Sequence, residues 1–241
     1  MTSKDAASVD GEDRIRVEAP REVLEHARRE SLRALSPERY ACVAKYFTID
    51  SNYAGALFAG LEPNEPDRFT PADLFAVSSL SVSIPARGAR RLLHEQHDED
   101  GPARKLTTLP TVRLEYAEAP DLEAMAKFHN SVKRALRRHG ARAANAWVTA
   151  AKLCARKRPH LFPVRDRRVS RILGFHRGMT LPQEYAVYRS LMKDDEVRQA
   201  LRRLEEDLRD RERQGGMELE EVRLRLLDVA LWMLGEKRSR G

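Results

Sequence analysis

The chain predicts a mainly α-helical protein: a single compact helical domain with a disordered N-terminal segment and a C-terminal helical arm. Three observations carry that expectation. Apolar residues recur at three- and four-residue spacing through most of the 241 residues. Several of those stretches open on Ser, Thr or Asp with a proline close behind, the signature of a capped helix start. The one stretch that alternates, LTTLPTVRLEYAEAP, holds two prolines and so allows only a short extended segment outside the centre of a sheet. The expected organisation is a disordered segment 1–18, a helical core 19–192, a charged helix and a packing helix over 193–236, and a tail 237–241.

Taken in order, Ser36 and Pro37 open a helix through ERYACVAKYF, and Asn, Gly and Pro in the following stretch place turns around a short apolar piece, Tyr53 to Phe58. Thr70, Pro71 and Asp73 open PADLFAVSSLSV. Pro85 starts PARGARRLLHEQ, which ends in the acidic loop HDEDGPARK. Asp121 caps a helix with Leu122, Met125, Phe128, Val132 and Leu136 on one face, and Gly140 ends it. A helix through AANAWVTAAKLCARK stops before Pro159, with Ala146, Thr149, Ala150, Leu153 and Cys154 inward. Pro163 and Asp166 frame a turn into RRVSRILGF, and a helix around EYAVYRSLM follows. Asp194 to about Gln214 forms a heavily charged helix resembling a solvent-bridging arm, Gly215-Gly216 breaks it, and Val222, Leu226, Val229, Ala230 and Met233 make the buried seam of the last helix.

Composition excludes several classes of function. With 34% charged residues and a mean hydropathy of −0.60, no run approaches a membrane span. The polar, acidic N-terminus lacks the apolar core of a secretory signal, so a cytoplasmic protein is expected. Cys42 and Cys154 form no CxxC pair and match no zinc-ligand spacing, which predicts two reduced, buried thiols. His94 and His97, followed by Asp98, Glu99 and Asp100, fit a solvated loop better than a cation site. No metal and no cofactor are expected.

Charge gives the first pointer to a partner. Ala124 to Gln183 carries fifteen Lys and Arg and a single acid, Asp166, so this segment is +14 in a chain of +7 and the remainder sums to −7. A positive face, over 127–177, on an otherwise acidic protein attracts polyanions, which predicts nucleic acid, duplex DNA above all, as the partner. The lone carboxylate within that field, Asp166, sits where a nucleic acid would lie and is the residue to explain. The expected phosphate contacts are Lys152, Arg156, Lys157, Arg158, Arg165, Arg167, Arg168 and Arg171.

The stretch TAAKLCARKRPHLFPVRDRRVSRILGF resembles the second half of the helix-hairpin-helix motif of base-excision DNA glycosylases. Thr149-Ala150 stands ahead of Pro163-Val164-Asp166, and a basic segment runs on to Leu173-Gly174. The resemblance implies a glycosylase-like helical fold and a hydrolase acting on N-glycosyl bonds, with Asp166 stabilising the sugar cation as a flipped base leaves. Ala141 to Val148 replaces the glycine-rich hairpin of that family, and Val148 occupies the place of its strand-cutting lysine, which implies a monofunctional enzyme. Over most of its length the chain also resembles a bacterial family catalogued as domain of unknown function 6308, through YFTIDSNYAGALF, TPADLFAVSSLSVSIP, KLCARKRPHLFPVRDRRV and LLDVALWM.

Two other readings stay open. The chain is a non-catalytic DNA- or RNA-binding protein with Asp166 a helix cap, or an interaction module whose basic face docks an acidic partner. Trp147, Phe162 and Trp232 fit a core better than a stacking platform, whereas Tyr46, Phe47 and Tyr53 suit either packing or a pocket wall.

Overall fold

The computed structural model describes residues 17–94, 101–137, 146–219 and 222–238, and among them the helical spacing resolves into twelve α-helices. They are α1 (Arg21–Ala34), α2 (Tyr40–Phe47), α3 (Gly55–Gly60), α4 (Pro71–Ser79), α5 (Ala86–Leu93), α6 (Pro102–Thr107), α7 (Ala119–Ala135), α8 (Trp147–Lys157), α9 (Arg167–Ile172), α10 (Leu181–Lys193), α11 (Asp195–Arg213) and α12 (Arg223–Arg238). The fold is mainly α, as its periodicity predicts, and no strand occurs among the described residues beyond one antiparallel bridge, Thr48 to Met217. No described helix is long and apolar enough to cross a membrane.

Two sets of helices share the interior. The α3–α4 pair packs on α8, and α8 on α7, with α5 and α6 against α7; α1, α2, α9 and α11 surround α12. The α10 helix touches α1, α7 and α11 and so ties the sets together. An aromatic chain, Phe69–Phe128–Phe162–Tyr185, with successive ring centroids 6.3, 5.8 and 5.7 Å apart, crosses between α7 and α10.

Several local readings hold in atomic detail. Thr70 Oγ accepts from the Asp73 amide while the Asp73 carboxylate accepts from the Thr70 amide at 2.9 Å, a reciprocal cap on α4. Pro85 precedes α5, and Gly215 and Gly216, at φ +93° and +79°, supply the left-handed break after α11 that side-chain-bearing residues resist. Both cysteines are free thiols as expected, Cys154 buried but Cys42 only half-buried, against the expectation of two buried ones.

Other expectations need correction. The segment expected to be extended holds the end of α6 and a 3-10 turn, Leu114–Tyr116, because its prolines find no neighbouring strand to join. Asp121 caps from inside: the helix begins two residues earlier, and the Glu118 amide donates to Asp121 at 2.8 Å. The α11 helix is no arm, since Val197, Leu201, Leu204 and Leu208 are fully buried along one face. The α12 helix buries all its sides, adding Leu224, Leu227, Leu231 and Leu234 to the expected seam. One continuous cluster of buried apolar residues runs from Val17 to Leu234, so the core passes without interruption through the boundary expected after 192. The N-terminal segment through residue 16, the acidic run 95–100 with His97, and 138–145 with Gly140 and most of the replaced hairpin lie outside the described residues.

A buried histidine sets a pH limit on this core. His129 on α7 is 3% exposed and its Nε2 donates to the Trp147 carbonyl. Burial, with Arg165 and Lys133 adding repulsion, lowers its pKa from 6.5 to about 3. The depressed value means that the unfolded chain takes up a proton the folded one refuses. That stability is therefore complete above pH 6.5 and declines as pH falls toward 3, by roughly 3 to 5 kcal/mol in all. His129→Gln should flatten the stability profile between those values in chemical denaturation; superimposable profiles would refute this source of acid sensitivity.

Candidate functional site, a cavity beside Asp166

Where the two sets of helices meet, a cavity of about 860 Å³ opens to solvent. Its walls come from four places: the α2 end and the loop after it (Lys45 to Ala54), the α4 end (Ser79 to Val82), α8 with the start of α9, and α12. Each of the four segments that carry the likeness to the family of unknown function contributes to this lining.

Asp166 is on the wall. It caps α9, accepting from the Val169 amide through Oδ1 at 2.8 Å, and it is half-buried. Lys152, one of the expected phosphate contacts, enters from α8. It is 8% exposed, and its Nζ donates to the Leu80 carbonyl at 2.6 Å. That carbonyl is presented by the turn after α4, where Ser81 takes φ +60°, a left-handed conformation that side-chain-bearing residues seldom adopt. Burial lowers the Lys152 pKa to about 8; Asp166 opposes the shift and Arg225 adds to it.

Part of the lining is aromatic. Tyr46 stacks on Tyr53 at 5.6 Å, and Trp232 stands edge-on to both, at 6.0 and 5.7 Å. This packing needs Gly55, because a Cβ there would overlap the Tyr46 ring. Arg168 lies over the Trp232 ring, its guanidinium 4.6 Å from the centroid, and passes Gly235, where a Cβ would collide with its side chain. Nη1 of Arg168 is buried with no hydrogen-bond partner among the described residues. Asp228 and Arg225, 3% and 4% exposed, complete the α12 side, and Asp228 Oδ2 accepts from the Val164 amide at 2.6 Å. The described lining holds five Lys and Arg against three Asp, so the cavity is net positive and suits an anionic ligand with a flat face.

The other expected phosphate contacts divide. Arg167 and Arg171 are exposed, Arg167 at the cavity rim. Arg156 and Lys157, 2% and 3% exposed, are buried on Asp73, at 3.2 and 2.7 Å, and Arg156 also donates to the carbonyls of Phe58, Ala59 and Leu61. Arg158 is bound to Asp67 at 3.0 Å and to the carbonyls of Pro66 and Leu106. Arg165 is 5% exposed, paired with Glu184 and set between the Trp147 and Tyr185 rings. The expectation of backbone phosphate contacts is therefore corrected for Arg156, Lys157 and Arg165, whose charges are satisfied inside the protein, and the solvent-facing positive surface is narrower than the sequence run.

Sequence reasoning placed Trp232 in the core and passed over Asp50, Arg225 and Asp228. The signal was available: Arg225 and Asp228 are charges inside RLRLLDVALWML, a helix apolar on every face, where an ionised group survives only beside a polar cavity or a partner. Among the described residues no group of three His, Cys, Asp or Glu gathers as a metal site.

No curated protein and no solved structure matches this chain. A family model does, over residues 40–235, which takes in α2 through most of α12 and all four walls of the cavity. The chain belongs to the family of unknown function DUF6308.

Proposed function

We propose that the protein binds nucleic acid at the cavity mouth and releases an unstacked base by hydrolysis of its N-glycosyl bond, with Asp166 as the catalytic carboxylate. The observation that carries this reading is the position of Asp166 on the wall of a cavity large enough for a nucleoside, whose lining also holds Arg167, Arg168, Tyr46, Tyr53 and Trp232. A flipped base stacks on the aromatic wall, as bases do on Tyr and Trp generally. Arg167 and Arg171 hold the flanking phosphates, and the buried Nη1 of Arg168 donates to a ligand oxygen. As the glycosyl bond breaks, the base leaves with the bonding pair, Asp166 stabilises the positive sugar, and water adds at the same carbon. The second reading, a non-catalytic nucleic-acid-binding protein, is favoured by the Asp166 hydrogen bond to Val169, which gives the carboxylate a structural task.

One experiment separates the readings: duplexes carrying uracil, alkylated or oxidised bases, scored for binding across a salt series and for abasic sites. Affinity should fall log-linearly with salt, with a shallower slope after Arg167, Arg168 and Arg171 are neutralised together. Asp166→Asn keeps an oxygen to cap α9 and loses the charge, so binding and folding persist while base release falls about 100-fold or more. Absence of binding at low salt removes nucleic acid as the partner; binding without release by the wild type establishes the non-catalytic reading.

A further inference from the structure

The amine of Lys152 has no place in the hydrolysis just described, yet it is a buried cation on the wall of a net positive cavity. Lys157, buried on the same helix, meets a carboxylate at short range, Asp73 at 2.7 Å. Lys152 instead donates to one neutral carbonyl, that of Leu80 at 2.6 Å, presented by a turn with Ser81 held at φ +60°. That bond fixes the direction of Nζ, and Lys152 and Asp166 both line the cavity.

We propose that Lys152 is a nucleophilic amine that forms a Schiff base with an aldehyde-bearing anionic ligand held in this cavity, the aldose phosphates being the class that fits. The nitrogen lone pair of the unprotonated amine attacks the carbonyl carbon. The amine proton passes to the new alkoxide to give a carbinolamine, and loss of hydroxide, protonated to water by a carboxyl group or by solvent, leaves the iminium. Asp166, whose charge already acts on Lys152, stabilises that cation. Arg168 and the rim residues Lys45 and Arg167 attract the phosphate. Burial favours the neutral form of the amine, so that near pH 8 about half of Lys152 is nucleophilic, whereas a solvated lysine at 10.5 is almost wholly protonated. Besides Lys152, the charged groups on the described lining are Asp50, Asp166 and Asp228 with Lys45, Arg167, Arg168 and Arg225. This chemistry stands apart from base release and needs no nucleic acid.

The test uses the full-length protein with 2-deoxyribose 5-phosphate as the probe and sodium cyanoborohydride, which supplies hydride to convert the iminium into a stable secondary amine. Peptide mapping by mass spectrometry should place the reduced adduct on Lys152 at least 10-fold in excess over exposed Lys127 and Lys193, which lie outside the cavity, with labelling that rises as pH approaches 8 and is weaker for neutral 2-deoxyribose. Lys152→Met should abolish the excess. Because Lys127 and Lys193 serve as controls within the same molecules, the result stands even if the variant fails to fold. Equal labelling of exposed lysines, or none at Lys152, overturns the proposal, while loss of base release in the duplex assay leaves it untouched.

Discussion

Replacing Asp73 with Ala should lower the melting temperature by on the order of 10 °C or prevent folding altogether. Asp73 is fully buried and its carboxylate serves two structures at once. It closes the cap on α4 through the Thr70 amide, and it is the counter-charge for Arg156 and Lys157 on α8, both buried. Losing the cap costs about 0.5 to 2 kcal/mol. Leaving buried cations without their counter-charge costs about 3 to 5 kcal/mol, and this larger effect decides the outcome. For a chain of this size each kcal/mol moves the melting temperature by about 2 to 4 °C. Asp73→Asn retains a capping oxygen, so the difference between the Asn and Ala variants measures the cap. Adding Lys157→Met to Asp73→Asn removes a stranded cation and should recover part of the loss. An Asp73→Ala protein that melts with the wild type would show that Arg156 and Lys157 find sufficient partners among the carbonyls of Phe58, Ala59 and Leu61 and the side chain of Asn64.

The same ionic group bears on the cavity. It locks α4 against α8, and the end of α4 presents the Leu80 carbonyl to Lys152. Arg156 holds the end of α3 and the residue after it through three carbonyls, and α3 follows directly on the loop that supplies Asp50 to Ala54 to the lining. A loss at Asp73 therefore reaches the cavity through two of its walls.

What was legible in the sequence was local. Thr70, Pro71 and Asp73 announce a helix start because a cap needs only neighbours three residues apart. That Asp73 also neutralises Lys157, 84 positions on, is a property of the tertiary fold and leaves no trace in spacing. The basic run misled in the same way: counting charge along the chain cannot distinguish Arg171, which faces water, from Arg165, which lies between two aromatic rings. In α11 the opposite happened. A stripe of Val197, Leu201, Leu204 and Leu208 at three- and four-residue spacing was present, but dense charge on the other faces suggested an arm. Asp166 was singled out because it is the lone acid in its segment, and the fold gives it both positions the sequence left open, helix cap and cavity wall.

Truncation after Gly216 should yield insoluble protein. The removed segment carries Val222, Leu224, Leu226, Leu227, Val229, Leu231, Met233 and Leu234, all buried, and at about 1.5 to 3 kcal/mol for each large aliphatic side chain their sum matches or exceeds the roughly 5 to 15 kcal/mol that holds a typical domain together. The loss also opens α1, α2, α9 and α11, each of which packs on α12, and removes Met217 from its bridge to Thr48. A single substitution reports on the same contact in a soluble protein: Leu227→Ala, at a fully buried position, should cost about 2 to 5 kcal/mol in chemical denaturation. It leaves Asp228 and Trp232 in place, so cavity chemistry measured under folding conditions should survive a change that shortens the lifetime of the fold. A truncated chain that stays soluble, with helical content matching the helices that remain, would show that α12 is not the centre of this core, and the cavity would then lose its fourth wall without loss of the fold.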